Sequence, residues 1–232
     1  SVPSTVTRLY EDSEHNIWFG SFINGMGKLD KQTGQCSYQY KLVDKNNNYI
    51  QRVYDFAEDN NKRLWVATMG FGLFYYDLKT KSETSLINDW INCLHYSSDN
   101  KLYVGTYDGV NCIDLNSSDF QSYKILPQNV IYSIYEDTSG IIWIGSSEGL
   151  SSWNKETKKI TTYTTTNGLP SNTIYAIEGN DDFLWISTNA GISQFQKNNN
   201  KFINYYVGDG LQGNEFYKNA SFKDSQGTIW FG

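Results

Sequence analysis

The sequence predicts an all-β fold, a β-propeller of four-stranded blades with five complete blades plus a half blade. Three observations predict it. One pattern is written about six times, at a period on the order of forty residues, which marks blades or solenoid units. Each copy reads as four short strands divided by polar turns. No segment carries a helical period with caps. A parallel β-helix has a shorter period and a sandwich would not repeat so faithfully, whereas four antiparallel strands covered on both faces describe a propeller blade.

The clearest copy is Ile131 to Leu150, IYSIYEDTSGIIWIGSSEGL. The copies align on a large aromatic: Trp18, Trp65, Tyr103, Trp143, Trp185 and Trp230. A first strand opens about twelve residues earlier, at Val6, Val53, Ile91, Ile131 and Ile174. A small residue follows the aromatic (Gly20, Ala67, Gly105, Gly145, Ser187, Gly232), where a neighbouring chain approaches closely. Next comes a turn glycine, Gly25, Gly72, Gly109, Gly149 or Gly191, and then an apolar residue, Met26, Leu73, Val110, Leu150 or Ile192. The units lie at about 6–43, 53–87, 91–126, 131–166 and 174–207, with a partial one at 218–232, in a single propeller fragment spanning 1–232.

Within a unit the first strand alternates, Ile131, Ser133 and Tyr135 against Tyr132 and Ile134. The second, Ile141-Ile142-Trp143-Ile144, is continuously apolar, so both its faces should be covered. The third starts at the turn glycine, and pairs such as Ile160 and Tyr163 or Phe202 and Tyr205 mark the fourth. In a propeller the first strand is innermost. Its third position is Arg8, Asp55, Cys93, Ser133, Ala176 and Ala220, small or polar between apolar neighbours. Two readings stand: these side chains face a central channel, or they are size adjustments where space near the axis is tight. Gly232 follows the second strand of the sixth unit, and the N-terminus does not supply the third and fourth. The expectation is a piece of a longer propeller, or an open or swapped assembly, with an exposed edge at Trp230.

Composition narrows the function. The 232 residues carry a formal net charge of −6, and their 19 Lys and Arg are scattered. That argues against a nucleic-acid groove, which needs clustered cations. Cys36, Cys93 and Cys112 have no metal-like spacing, and two histidines, His15 and His95, make no metal cluster. No cofactor is expected. No apolar run approaches the roughly 18 residues of a membrane span.

The connectors Asn167-Gly168-Leu169-Pro170-Ser171-Asn172 and Gly208-Asp209-Gly210-Leu211-Gln212-Gly213-Asn214-Glu215-Phe216, with the EDTSGIIWIGSSEGL core, resemble the two-component regulator propeller repeats. Those repeats build periplasmic sensor regions of hybrid two-component histidine kinases. The resemblance covers essentially the whole chain. It is weaker in the first three units, where Tyr103 replaces Trp and Ala67 replaces Gly. It implies a periplasmic ectodomain of an inner-membrane protein that senses a carbohydrate fragment and is not itself an enzyme. The partners it implies are an oligosaccharide and the adjoining propeller and membrane-proximal domains of the same chain; a homodimer is a separate expectation. No kinase motif is present. The alternatives are a protein-interaction propeller without a small ligand, and a propeller lyase or glycoside hydrolase.

A sugar site needs aromatic platforms and hydrogen-bonding side chains. The loops entering each first strand supply candidates: Tyr49, Arg52, Trp90, Asn92, Asn129, Tyr132, Asn172 and Tyr175. Trp90 lies outside the fixed aromatic positions of the repeat, which favours it. Tyr132 and Tyr175 hold one place in successive blades, which also fits interblade packing. Arg8 and Asp55 could pair in the channel. The recurring Glu11-Asp12, Glu58-Asp59 and Glu136-Asp137 could serve a glycosidase. They read better as turns, where Asp accepts backbone hydrogen bonds. Asp224 to Trp230 superficially resembles a sialidase Asp-box, but a chain with three arginines lacks the arginine cluster of that chemistry.

Overall fold

The structure, a computed structural model, describes residues 5–38, 42–43, 47–77, 83–87, 89–127 and 129–232. It is all-β, with two short 3-10 turns and no α-helix among the described residues.

The first sheet holds β1 (Val6–Glu11), β2 (Ile17–Ser21), β3 (Met26–Leu29) and β4 (Cys36–Ser37). The second holds β5 (Val53–Glu58), β6 (Arg63–Thr68), β7 (Gly72–Asp77) and β8 (Glu83–Ile87). The third holds β9 (Ile91–Ser97), β10 (Lys101–Thr106), β11 (Gly109–Asp114) and β12 (Ser122–Pro127). β13 (Ile131–Glu136), β14 (Ile141–Ser146), β15 (Gly149–Asn154) and β16 (Ile160–Tyr163) form the fourth. β17 (Ile174–Gly179), β18 (Phe183–Thr188), β19 (Gly191–Gln196) and β20 (Lys201–Tyr205) form the fifth. β21 (Ser221–Lys223) pairs with β22 (Ile229–Phe231) alone. Every four-stranded sheet is an antiparallel meander in chain order, which is one propeller blade. The blades fall into two compact units. One contains the first three sheets apart from residues 108–110 and 126–127; the other contains the fourth, fifth and two-stranded sheets.

Cores form between successive blades of a unit. Trp18, Met26, Val53, Phe56, Leu64 and Phe74 make one, and Trp65, Leu73, Ile91, Leu94, Leu102 and Ile113 the next. In the second unit Trp143, Leu150, Ile174, Leu184, Ile186 and Phe195 do the same. No blade buries its faces alone, so within each unit the apolar second strand is the seam to its neighbour. The small residue after the aromatic has its predicted reason. A Cβ on Gly145 would collide with the Ser133 hydroxyl and stand 2.8 Å from Cγ2 of Ile174 in the next blade.

A turn built on aspartate joins the first and second strands. Oδ1 of Asp137 accepts the amides of Ser139 and Ile141, both at 3.1 Å, while Oδ2 accepts Nε1 of Trp143 at 2.8 Å. Asp12 holds Trp18 and Asp59 holds Trp65 in the same way, each at 2.8 Å. Asp224 repeats the backbone bonds, with Trp230 Nε1 at 3.5 Å, so the run resembling an Asp-box is this turn again. The carboxylate both closes the turn and satisfies the one polar atom of the indole. Where Ser97 replaces the aspartate, Tyr103 replaces the tryptophan.

Burial raises the Asp137 carboxyl, but bonds from Lys197, the indole and the backbone outweigh it and hold the group below its usual range. For Asp12 the same burial is outweighed by Trp18 and Asn16. A folded-state value below the unfolded one gives stability that is complete above about pH 4 and is lost as pH falls through the folded value. Urea midpoints should therefore decline below about pH 4. Lys197→Met should flatten that decline while lowering stability at neutral pH; an unchanged acid limb would refute the assignment.

At the third position of the inner strand, Arg8 and Asp55 meet across neighbouring blades of the first unit. Each of the five inner strands carries a bulge at its second residue, Thr7, Tyr54, Asn92, Tyr132 or Tyr175, visible as a register shift. An extra residue reverses the alternation of faces. The pairing of Arg8 with Asp55 expected from the sequence is present, and Asp55, Cys93 and Ala176 are buried. Asp55 pairs with Arg8 Nε at 3.0 Å and accepts the amides of Phe56 and Leu94, both at 2.9 Å, which links three inner strands. Burial raises its carboxyl, with Arg8 and the two amides opposing.

Candidate functional site

The backbone positions one residue per blade at the end where the inner strands begin. The carbonyls of Thr5, Arg52, Trp90 and Val130 accept the amides of Phe22, Met69, Tyr107 and Ser147 at 3.0–3.2 Å. Each bond ties the residue before an inner strand to the residue leaving the second strand. Three side chains per blade therefore share this end: those two and the bulged one. In the first unit they are Thr5, Thr7 and Phe22; Arg52, Tyr54 and Met69; and Trp90, Asn92 and Tyr107.

This arrangement makes an aromatic strip in the first unit. The Arg52 guanidinium lies 5.1 Å from the Phe22 ring centre, with Nη1 4.0 Å from the Met69 sulfur. Phe22 meets Tyr54 edge-on at 6.5 Å, and Trp90 meets Tyr107 edge-on at 5.2 Å. Burial, and after it the nearby Tyr107, pushes the Tyr54 hydroxyl above its ordinary value. The Trp90 indole rests on the β6–β7 turn, where a Cβ on Gly70 would lie 3.0 Å from Nε1. Phe22, Ile23, Trp90 and Tyr107 remain 39–50% exposed, unlike Trp18 and Trp65 at 1% and 0%.

The second unit has a smaller counterpart. Tyr132 and Tyr175 meet edge-on at 5.5 Å, and Lys218 Nζ stands 5.6 Å from the Tyr132 ring centre. Burial lowers the Lys218 ammonium below its ordinary value. Elsewhere in this unit, Trp185, Ile192, Tyr205, Leu211, Ile229 and Phe231 line an apolar cleft of about 420 Å³.

The candidates read from the sequence thus separate. Arg52 and Trp90 occupy one repeat position in successive blades and are exposed. Tyr132 and Tyr175 are half-buried partners of one another. Asn92 is 3% exposed with partners inside the fold, and Asp55 is buried, so neither can be reached by a ligand. Arg8 is committed to Asp55. Asn172 Oδ1 accepts the Thr165 amide at 2.8 Å, and the Tyr49 hydroxyl donates to the Asn24 carbonyl. Phe22, Tyr54 and Tyr107 were missed, although aligning the copies would have found them: Tyr54 shares the place of Tyr132 and Tyr175.

Aromatic edges and faces, hydroxyls and a guanidinium suit reversible binding of a polar, ring-containing ligand. The recurring carboxylates Asp12, Asp59 and Asp137 are occupied by turns. His15 Nδ1 lies 2.9 Å from Glu11 on an exposed turn, and the His95 ring lies 6.4 Å from Tyr103. Among the described residues no group of three His, Cys, Asp or Glu could hold a metal ion.

Comparison with known proteins agrees with this architecture. A family described as two-component regulator propeller matches residues 2–22, 44–70 and 125–148. Histidine kinase P4 of Formosa agariphila is 26% identical over 67% of this chain and 16% of its own length. The extracellular domain of a putative hybrid two-component system of B. thetaiotaomicron superposes with a TM-score of 0.79 at 25% identity, covering 100% of this chain and 33% of that one. Virginiamycin B lyase of Staphylococcus aureus, with a TM-score of 0.75, is 16% identical over 100% of this chain and 78% of the lyase, a likeness of fold alone. The chain spans about a third or less of the first two proteins. Repeat, blade and aspartate-closed turn agree with that match: the chain resembles the two-component regulator propeller family, whose repeat it matches at residues 2–22, 44–70 and 125–148.

Proposed function

We propose that this chain is the ligand-sensing propeller of a hybrid two-component sensor, lying outside the inner membrane, and that it responds to a carbohydrate fragment. The observation that carries the reading is the strip of Phe22, Tyr54, Trp90 and Tyr107, in which all but the half-buried Tyr54 are exposed. Interior packing leaves these rings available, and sugar rings stack on such surfaces while their hydroxyls take hydrogen bonds. Binding would transmit a signal only through different affinities for two arrangements of adjoining domains.

Titration with a panel of oligosaccharides, followed by calorimetry and tryptophan fluorescence, tests this. At least one sugar should bind and perturb the exposed Trp90. Trp90→Ala should weaken binding roughly tenfold to a hundredfold, while Trp230→Ala, which alters the other strongly exposed tryptophan, should leave it unchanged. Binding indifferent to Trp90 would move the site elsewhere.

A second reading, a protein-interaction module, draws on the exposed Phe222 and Trp230 of the two-stranded sheet, at 63% and 60%. It predicts that the whole panel is silent and that concentration-dependent association is lost in Trp230→Ser.

A further inference from the structure

We propose that Arg52 and the Trp90–Tyr107 pair form a subsite for an acidic sugar, with Arg52 taking a carboxylate or sulfate and the aromatic pair taking a neighbouring ring. The proposal rests on the sensing function above and names its ligand class.

Repeat equivalence places the two groups together. The residue before the inner strand is Thr5, Arg52, Trp90, Val130 or Thr173, so the two large side chains at this place fall in adjacent blades. Both are held by the same backbone bond, Met69 N–H to Arg52 and Tyr107 N–H to Trp90. Arg52 is exposed, yet its contacts are the Phe22 ring and the Met69 sulfur; among the described residues no carboxylate pairs with it. Arg8 and Arg63, the other two arginines, are each bound to a buried aspartate. The nearby Asp89 accepts the Trp90 amide at 2.6 Å. On a chain of net charge −6, an available guanidinium beside stacking rings is a specific feature. Its planar fork matches carboxylate and sulfate oxygens, and the Phe22 ring packs against it.

The test uses calorimetry with three classes of oligosaccharide: neutral, uronate-bearing and sulfated. Acidic sugars should bind, and added salt should weaken them. Arg52→Gln should weaken them roughly tenfold or more, with Arg52→Lys intermediate and neutral sugars unaffected. The two acidic classes separate carboxylate from sulfate recognition. Circular dichroism of each variant checks the fold, which a change at exposed Arg52 should not disturb. Acidic sugars bound equally by Arg52→Gln overturn the subsite. Neutral sugars bound through Trp90 in preference to acidic ones also overturn it, and leave the sensing function standing. Silence across all three classes overturns both.

Discussion

Replacing Asp59 by alanine should cost about 3–5 kcal/mol of unfolding free energy, the loss seen when a buried ionic partner is removed. Four donors would be orphaned together: the amides of Asn61 and Arg63 at 2.8 and 3.1 Å, Nε of Arg63 at 2.6 Å and Nε1 of Trp65 at 2.8 Å. Trp65 is fully buried, so water cannot replace the lost acceptor. The Arg63 guanidinium also lies 5.0–5.5 Å from the ring centres of Trp65, Tyr75 and Phe120, and would keep its charge there without an anion. Asp59→Asn should be milder, since an amide oxygen still closes the turn, as Asn180 does by accepting the Asp182 and Phe183 amides. Urea unfolding followed by tryptophan fluorescence measures the series. A loss under about 1 kcal/mol for Asp59→Ala would remove the clamp from the explanation of the blade.

Gly149→Ala should be comparably damaging, about 3 kcal/mol or more, because two costs coincide. The residue sits at φ +127°, outside the regions an L side chain readily adopts, and its Cβ would collide with the Tyr163 carbonyl oxygen. That carbonyl belongs to the last residue of β16, so relief would require opening the outer strand pair. Gly191 repeats the geometry, with φ +113° and 2.5 Å to the Tyr205 oxygen. Gly208→Ala is the control. Nothing lies within 4 Å of its Cβ position, so its stability should stay within about 1 kcal/mol of the parent. Equal losses at Gly149 and Gly208 would show that the turn glycine is not required by the blade.

The amino-acid sequence by itself determined the blade. The forty-residue period, the apolar second strand, the small residue after the indole and the glycine of the next turn are local requirements, and each recurs often enough to be read without a fold. The acidic turn was legible for the same reason, since aspartate closes a loop over a span of four residues. Its bond to the indole six residues later was not read, because a turn residue and a core residue belong to different parts of a pattern until the strands pair. Only the tertiary structure decided which inner-strand side chains are available. One bulge per blade shifts the hydrogen-bond register, which side-chain types do not encode; the pairing of Arg8 with Asp55 was legible, but the burial of Asp55 and its bond from the Leu94 amide were not. Arg52, Phe22, Tyr54, Trp90 and Tyr107 come from three blades, separated by up to 85 residues, and only the stacking of those blades makes them neighbours.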